Sequence, residues 1–479
     1  MKNFYITTAI DYVNDLPHIG HAYEKIAADV LARYWRAKDA QVLFQTGVDE
    51  HGIKVAQAAE SAEKSPQEFT DEMAEKFKRT WQNLNISFDN FVRTTDPAHE
   101  KKVQEFLIKL KESGQIYKGK YTGFYCVGCE AYKSEDEMEA GYCPTHKKPC
   151  EKISEEVYFF KLAKYKPEII KVIKSGHMQI EPESRKNEAL NFLKDQKLSA
   201  QGGSALGRKD VAISRSRVKW GVPLPWDKSH TVYVWVDALF NYLTGSQNDQ
   251  FWPANLHLIG KDILRFHSVI WPAILMALDS KLPKKIFVHG FLSVDGQKMS
   301  KSLGNVIDPN ILKEKYGADA VRYFLLAEIP FGADGDFSIR RLEQRYNSDL
   351  ANELGNLVMR ILTLVGKSQI TNHKFQTNSN VRNSKFQTKT IDKLIEELKF
   401  SEALTEIWKD IKSMNAEIDQ KKLWELVKTD ENKAKNLLKD YLARIAAVAE
   451  NLSSFMPETT ERIKKQLETG KAEVLFPKK

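Results

Sequence analysis

The stretch Pro17-His18-Ile19-Gly20-His21 constrains the fold of this chain more than any other. Before it, Asn3 to Ile10 is rich in β-branched and aromatic residues and suits a buried strand. After it, Ala22, Ile26, Ala27, Val30, Leu31 and Tyr34 recur at a helical period. The pentapeptide is therefore a strand-to-helix turn. Two imidazoles at a helix start share a face with unsatisfied backbone amides and the positive end of the dipole, so the turn favours an anion. Gly20 lets a phosphate or a flat ring approach the backbone. On this stretch alone the alternative is a pair of surface histidines at a helix cap.

A second apolar strand, AQVLFQTGVDEHG from Ala40 to Gly52, ends in a turn, and IKVAQAAESAEK continues as helix. Strand, helix and strand in succession make a parallel sheet, whose ligands gather at the carboxyl ends of its strands. Asp49 and His51 lie at such an end. A carboxylate there can receive a substrate ammonium or cap the next helix, and the residues alone leave both readings open. Ser65 to Gly114 reads as helical and charged.

At 479 residues the chain is too long for one core, and a hydrophobic share of 42% supplies enough apolar residues for several. Its longest apolar runs, such as SVIWPAILMAL from Ser268 to Leu278, fall short of a membrane span. The start carries no cleavable apolar signal, so a cytoplasmic protein without a membrane partner is expected. A net charge of +8 permits nucleic acid without establishing it. From Arg341 onward 25 Lys and Arg stand against 20 Asp and Glu, which also suits an ordinary solvated helical surface.

All four cysteines fall within Cys126-Val-Gly-Cys129 and Cys143-Pro-Thr-His146 with Cys150 beyond. Two such knuckles can set three thiolates and an imidazole around one structural Zn²⁺: Cys126, Cys129, Cys143 and His146. A site with Cys150 in place of His146 is the near rival, and disulfides the remote one. Either tetrahedral set is closed, so the metal would not be catalytic.

Further on, Val157 to Leu162 reads as strand, and the glycine-rich Asp195 to Asp210 as loop. The strand-to-helix rhythm returns in TVYVWVDALFNYLTG (Thr231 to Gly245) and again in LHLIGKDI before LRFHSVIWPAILMAL. The sheet is thus expected to resume after an insertion. Asp295-Gly296 marks a tight turn. Lys298-Met299-Ser300-Lys301-Ser302 follows on a loop whose lysines and hydroxyls suit closure over a polyphosphate.

Together, PHIGH near the start and KMSKS near the end of one interrupted sheet resemble the class I aminoacyl-tRNA synthetases. TAIDYVNDLPHIGHAYEKIAADV, TGVDEHG, YVWVDALFNYL, LIGKDILRFHSVIWPA, DGDFS, RYNSDLANELGNL and FMPET extend the resemblance, over nearly the whole chain, to the methionyl-tRNA synthetase family. That family usually has TPIYY where this chain has TAIDY. The resemblance implies a Rossmann-type α/β catalytic domain interrupted by a zinc-bearing insertion, followed by an all-α bundle. It implies ATP-dependent activation of L-methionine, with Mg²⁺, to methionyl-adenylate, and transfer to initiator and elongator tRNA(Met). A nucleotidyltransferase sharing only the first turn would need neither knuckles nor a helical tail, and a catalytically dead RNA-binding relative would not need the intact lysine loop.

By resemblance, His18, Gly20 and His21 with Lys298, Ser300 and Lys301 hold ATP, the histidines and lysines also serving catalysis. Asp49 takes the methionine ammonium. Ile10, Tyr12, Arg215, Trp235, Ala238, Tyr242, Ile263 and His267 match the family's methionine site, where an aromatic, largely apolar pocket suits a thioether. Asn356, Arg360 and Trp424 match its anticodon-reading positions, although Trp424 on its own could equally be a core tryptophan. The expected boundaries are 1–114 and 226–325 for the catalytic halves, 115–225 for the insertion, 326–340 for a link and 341–479 for the bundle. Thr371 to Thr388 is expected as a loop between helices. The chain lacks the extra C-terminal dimerisation domain of some relatives, so a monomer is expected.

Overall fold

The computed structural model describes residues 2–479 apart from 129, 134, 136, 137, 145, 146, 195–209, 247–249, 300–303 and 368–384. The chain divides into two compact units. One comprises Met1–Pro17, Asp39–Arg79 and Phe88–His289; the other comprises His18–Lys38, Thr80–Ser87 and Gly290–Lys479. Residues 18–38 and 80–87, which the sequence groups with the first catalytic half, thus pack in the second unit.

The first unit is built on a seven-stranded sheet: β1 (Asn3–Thr8), β2 (Asp11–Tyr12), β3 (Gln41–Asp49), β4 (Asn90–Arg93), β5 (Gln179–Glu181), β6 (Leu256–Gly260) and β7 (Lys285–His289). The order is β2-β3-β1-β6-β7-β5, with β4 also on β3, and every pairing is parallel. Ile6 of β1 lies opposite Phe44 and Leu256. All of β6 is buried, and so is β1 after its first residue. That is why these strands read as apolar runs rather than alternations.

Three strands of this sheet cannot be read from the sequence. β2, β4 and β5 are two, four and three residues long, so none generates a period of its own. A fourth strand is misplaced. Asp227–Val232 pairs antiparallel with Ser214–Arg215 and Pro223–Leu224 in a small separate sheet, and the parallel sheet resumes only at Leu256.

Between the two halves of the sheet runs a long antiparallel ribbon, Ile116–Cys126 against Glu151–Phe160, whose ladder reaches from Ile116–Phe160 to Tyr125–Glu151. Tyr121, Tyr125, Tyr132, Ile153, Val157, Phe159 and Ala212 form its own core. Cys126 closes the first of these two strands.

The second unit begins with α1 (Ile19–Ala37). A small sheet follows, in which Leu292–Val294 pairs antiparallel with Gln297–Lys298 and parallel with Gly335–Phe337. The expected turn between the first two has φ 48° at Asp295 and 77° at Gly296, both left-handed. Helices Pro309–Tyr316 and Ala318–Glu328 break at Gly317, φ 88°. Thereafter the described residues are mainly helical. Tyr346–Gly355 is π-helical and runs into Asn356–Lys367; Lys385–Glu396, Phe400–Gln420, Leu423–Thr429, Glu431–Leu452 and Pro457–Thr469 follow. Lys385 to Thr388, expected as loop, are the first turn of a helix, because the amphipathic period of Lys385–Glu396 extends back over them; 371–384 lie outside the described residues. No helix among the described residues is long and apolar enough to cross a membrane.

Candidate active site

In the first unit Asp49 closes β3, with Tyr12 of β2 opposite it in register. Asp49 is only 4% exposed, and its Oδ1 has no hydrogen-bond partner among the described residues. Burial, then the charges of Asp237 and Glu130, pushes its carboxyl well above the usual range. A buried carboxylate with an unused acceptor is a receptor for a cation, whose arrival offsets the cost of keeping the charge out of water.

The turn that carries Asp49 is tied down from behind. His51 Nδ1 lies 2.7 Å from one oxygen of Asp237, and His99 Nε2 lies 3.1 Å from the other. His99 Nδ1 meets Thr244 Oγ1 at 2.8 Å. Burial works against the charge on Asp237, yet the hydrogen bonds from His51 and His99 hold its carboxyl at about 2. Burial likewise works against a charge on His51, and the bond to Asp237 raises its pKa above the ordinary histidine value. Trp220 Nε1 donates to the Glu50 carbonyl at 2.6 Å, fixing the same turn from another side.

The apolar part of this half is aromatic. Tyr242 and His267 are joined through Tyr242 Oη and His267 Nε2 at 2.7 Å, and His267 Nδ1 lies 3.0 Å from the Ile263 carbonyl. A carbonyl only accepts, so Nδ1 carries the proton and Nε2 accepts from the tyrosine hydroxyl. His267 is in the π-helical turn Phe266–Ile270, a distortion that often marks functional sites. Trp235 stacks on Phe266 at 4.6 Å between centroids. Ala238 and Ile263 are buried, and Ile10 is half-buried between β1 and β2.

Arg215, 3% exposed, lies between the rings of Tyr132 (4.2 Å) and Tyr233 (3.8 Å). Its Nη1 donates to the Ser214 carbonyl at 2.8 Å, while Nε and Nη2 have no partner among the described residues.

In the second unit His18 is the N-cap of α1. Gly20 N donates to His18 Nδ1 at 3.1 Å, and His18 N donates to His21 Nδ1 at 3.3 Å, a reciprocal capping box made of two imidazoles. Their rings stack at 3.7 Å. Because each Nδ1 accepts a backbone N–H, each Nε2 carries the proton and is a donor. Burial, then the neighbouring His18 and Lys25, pushes His21 well below the usual histidine range, so it acts as a neutral donor. A Cβ at Gly20 would lie 3.0 Å from the His18 ring and 3.2 Å from Met299 Cε, so any side chain there would have to push these neighbours aside. Ile19 N donates to the Ile307 carbonyl, so the segment after the lysine loop completes the cap. Lys298 ends the hairpin strand and is exposed. Ser300 and Lys301 lie outside the described residues.

At the ribbon end Cys126 and Cys143 are buried free thiols and Cys150 is half-buried. Cys150 hydrogen-bonds Cys126; burial and the neighbouring Cys126 and Cys143 thiols push its own pKa up. Among the described residues no group of three or more His, Cys, Asp or Glu that could hold a metal ion is found. Cys129 and His146 lie outside the described residues. In the helical region Asn356 is exposed, and the Arg360 guanidinium stands 6.0 Å from the ring centre of Trp424 while pairing with Asp419 at 2.5 Å. Trp424 is 42% exposed, which removes the core-tryptophan alternative.

The family model described as "tRNA synthetases class I (M)" matches residues 4–155 and 137–362. The methionine–tRNA ligase of Thermotoga maritima is 46% identical over 96% of this chain and 74% of its own length. That of a Nostoc species is 41% identical over 98% and 90%. The chain belongs to the methionyl-tRNA synthetase family. A solved Mycobacterium tuberculosis methionyl-tRNA synthetase in complex with methionyl-adenylate superposes with a TM-score of 0.90 at 36% identity, over 100% of both chains. Its apo form gives 0.82 at 32%, over 100% of this chain and 98% of that one. Two residues of this methionyl-tRNA synthetase chain that the sequence reading passed over, Glu130 and His99, stand beside the residues it selected. Only the fold brings them there, and nothing in their spacing announces it.

Proposed function

We propose that this chain joins methionine to tRNA(Met) in two steps, and that the carrying observation is Asp49, a buried carboxylate with an unused oxygen at the end of a parallel strand. The methionine ammonium binds Asp49. The thioether enters the wall of Ile10, Tyr12, Trp235, Ala238, Tyr242, Ile263 and His267, and Arg215 faces the substrates. A carboxylate is already ionised at neutral pH, so its oxygen bonds to the α-phosphorus of ATP without a general base, and the bond to the pyrophosphate oxygen breaks. The Nε2–H groups of His18 and His21 donate to phosphate oxygens as charge shifts onto them, and Lys298, Ser300 and Lys301 act on the leaving pyrophosphate. Mg²⁺ arriving with ATP would supply further charge neutralisation. A ribose hydroxyl of the terminal tRNA adenosine then attacks the activated carbonyl and releases AMP.

Cys126, Cys129, Cys143 and either His146 or Cys150 would hold a structural zinc ion, which would stiffen the ribbon end. Trp424, Arg360 and Asn356 read the anticodon: the exposed indole offers a face on which an unpaired base stacks. The protein works in the cytoplasm as a monomer. Methionine-dependent exchange of labelled pyrophosphate into ATP tests the first step; a folded, zinc-loaded protein that shows none would overturn the reading.

A further inference from the structure

Glu130 directly follows the second knuckle cysteine, yet its carboxylate is not at the surface. It is 4% exposed. Tyr12 Oη donates to its Oε2 at 2.7 Å, and the backbone amide of Lys54 donates to its Oε1 at 3.1 Å. Lys54 stands in the first turn of the helix Ile53–Ser61, whose own N-cap, Gly52, offers no side chain to that turn. Glu130 therefore caps, from 76 residues away, the helix that follows the Asp49 turn. Around this junction there is no spare room. Gly52 has φ 107°, and a Cβ on it would lie 2.4 Å from Tyr12 Oη and 2.7 Å from Glu130 Oε1. Glu130 itself has φ 49°, in the left-handed region that side-chain-bearing residues rarely adopt. The Lys54 ammonium lies 5.6 Å from the Tyr12 ring and closes the group.

We propose that Glu130 is a positioning residue of the methionine site, through which the knuckle fixes Tyr12 and the Asp49 turn. The proposal rests on the assignment of Asp49 and Tyr12 to methionine. It gives the ribbon end a role in the site: the chain just after Cys126 delivers one carboxylate to the junction of β2 and the Ile53–Ser61 helix. Tyr12 is opposite Asp49 in the sheet, so holding the tyrosine hydroxyl sets the wall beside the ammonium receptor.

The test uses the full chain. Glu130→Ala is expected to raise KM for methionine about 10-fold, the size of a lost hydrogen bond to a charged group, with kcat changed much less. Glu130→Gln, which can accept from Lys54 N and donate to Tyr12 Oη, is expected to recover most of that loss. Zinc content should equal that of the wild type in both, separating positioning from metal loss. Tyr12→Phe should also raise KM, and should add little in the Glu130→Ala background, as two ends of one contact do. Unchanged KM in folded Glu130→Ala, or an additive double variant, overturns the proposal alone. If Glu130→Ala does not fold, Tyr12→Phe decides: an unchanged KM overturns the proposal. Absence of exchange in the wild type overturns the proposed function and this inference with it.

Discussion

Asp49 and Asp237 are neighbouring buried carboxylates with opposite electrostatics, and the contrast makes a test. Asp49 is raised, so its contribution to stability is present at acid pH and lost as pH rises through its folded value. Asp237 is lowered to about 2, so its contribution is present above the unfolded value near 4 and lost as pH falls towards 2. Asp49→Asn should therefore abolish methionine binding yet melt no lower, and on the order of 1 kcal/mol higher, at pH 7 without ligand. Asp237→Asn strands His51 and His99 and should cost about 3–5 kcal/mol in the same melt. Equal melting curves for the two variants would refute this account. Asp49 was legible in sequence because an apolar run pointed to a strand end. Glu130 and His99 were not, since the Tyr12–Glu130 and His99–Asp237 contacts span 118 and 138 residues and carry no local pattern.

Among elements, α1, β1 and β3 could be read directly, their buried faces being long enough to impose a period. β2, β4 and β5 were too short, and the apolar run that begins at Thr231 reads as strand whichever sheet it joins, although Val234–Leu239 is helix. The ribbon end poses a question of ligands that metal analysis answers. Zinc retained by Cys150→Ala and lost by His146→Ala assigns His146; the reverse assigns Cys150, whose free thiol neighbours those of Cys126 and Cys143. The short helix Leu423–Thr429 presents Trp424 to solvent. Trp424→Ala should weaken tRNA charging at least about 10-fold, the value of one stacked base, while exchange and melting temperature stay put. Normal charging by a stable variant would remove Trp424 from the anticodon site.

At the scale of the molecule, the second unit grips the His18–His21 turn from two directions. Behind it, Asp29 of α1 is fully buried between Arg322 (2.7 Å), Arg33 (2.7 Å) and Ser87, and Arg322 also donates to the carbonyls of Ser454 and Phe455. One guanidinium thus ties α1 to the residues that precede the last helix. Arg322→Met leaves Asp29 buried beside fewer cations and should cost about 3–5 kcal/mol, read as a lower melting temperature; a loss under about 1 kcal/mol would show the network to be dispensable. In front, Met299 packs its methyl group against Gly20. Peroxide would turn that soft thioether into a bulkier, polar sulfoxide. The enzyme that would spend methionine on protein synthesis would then carry, beside its His18–His21 turn, a methionine whose damage would halt that spending until a reductase repaired it. Replacing Met299 by leucine should leave exchange activity tolerant of peroxide doses that inactivate the native chain; equal sensitivity would place the damage elsewhere.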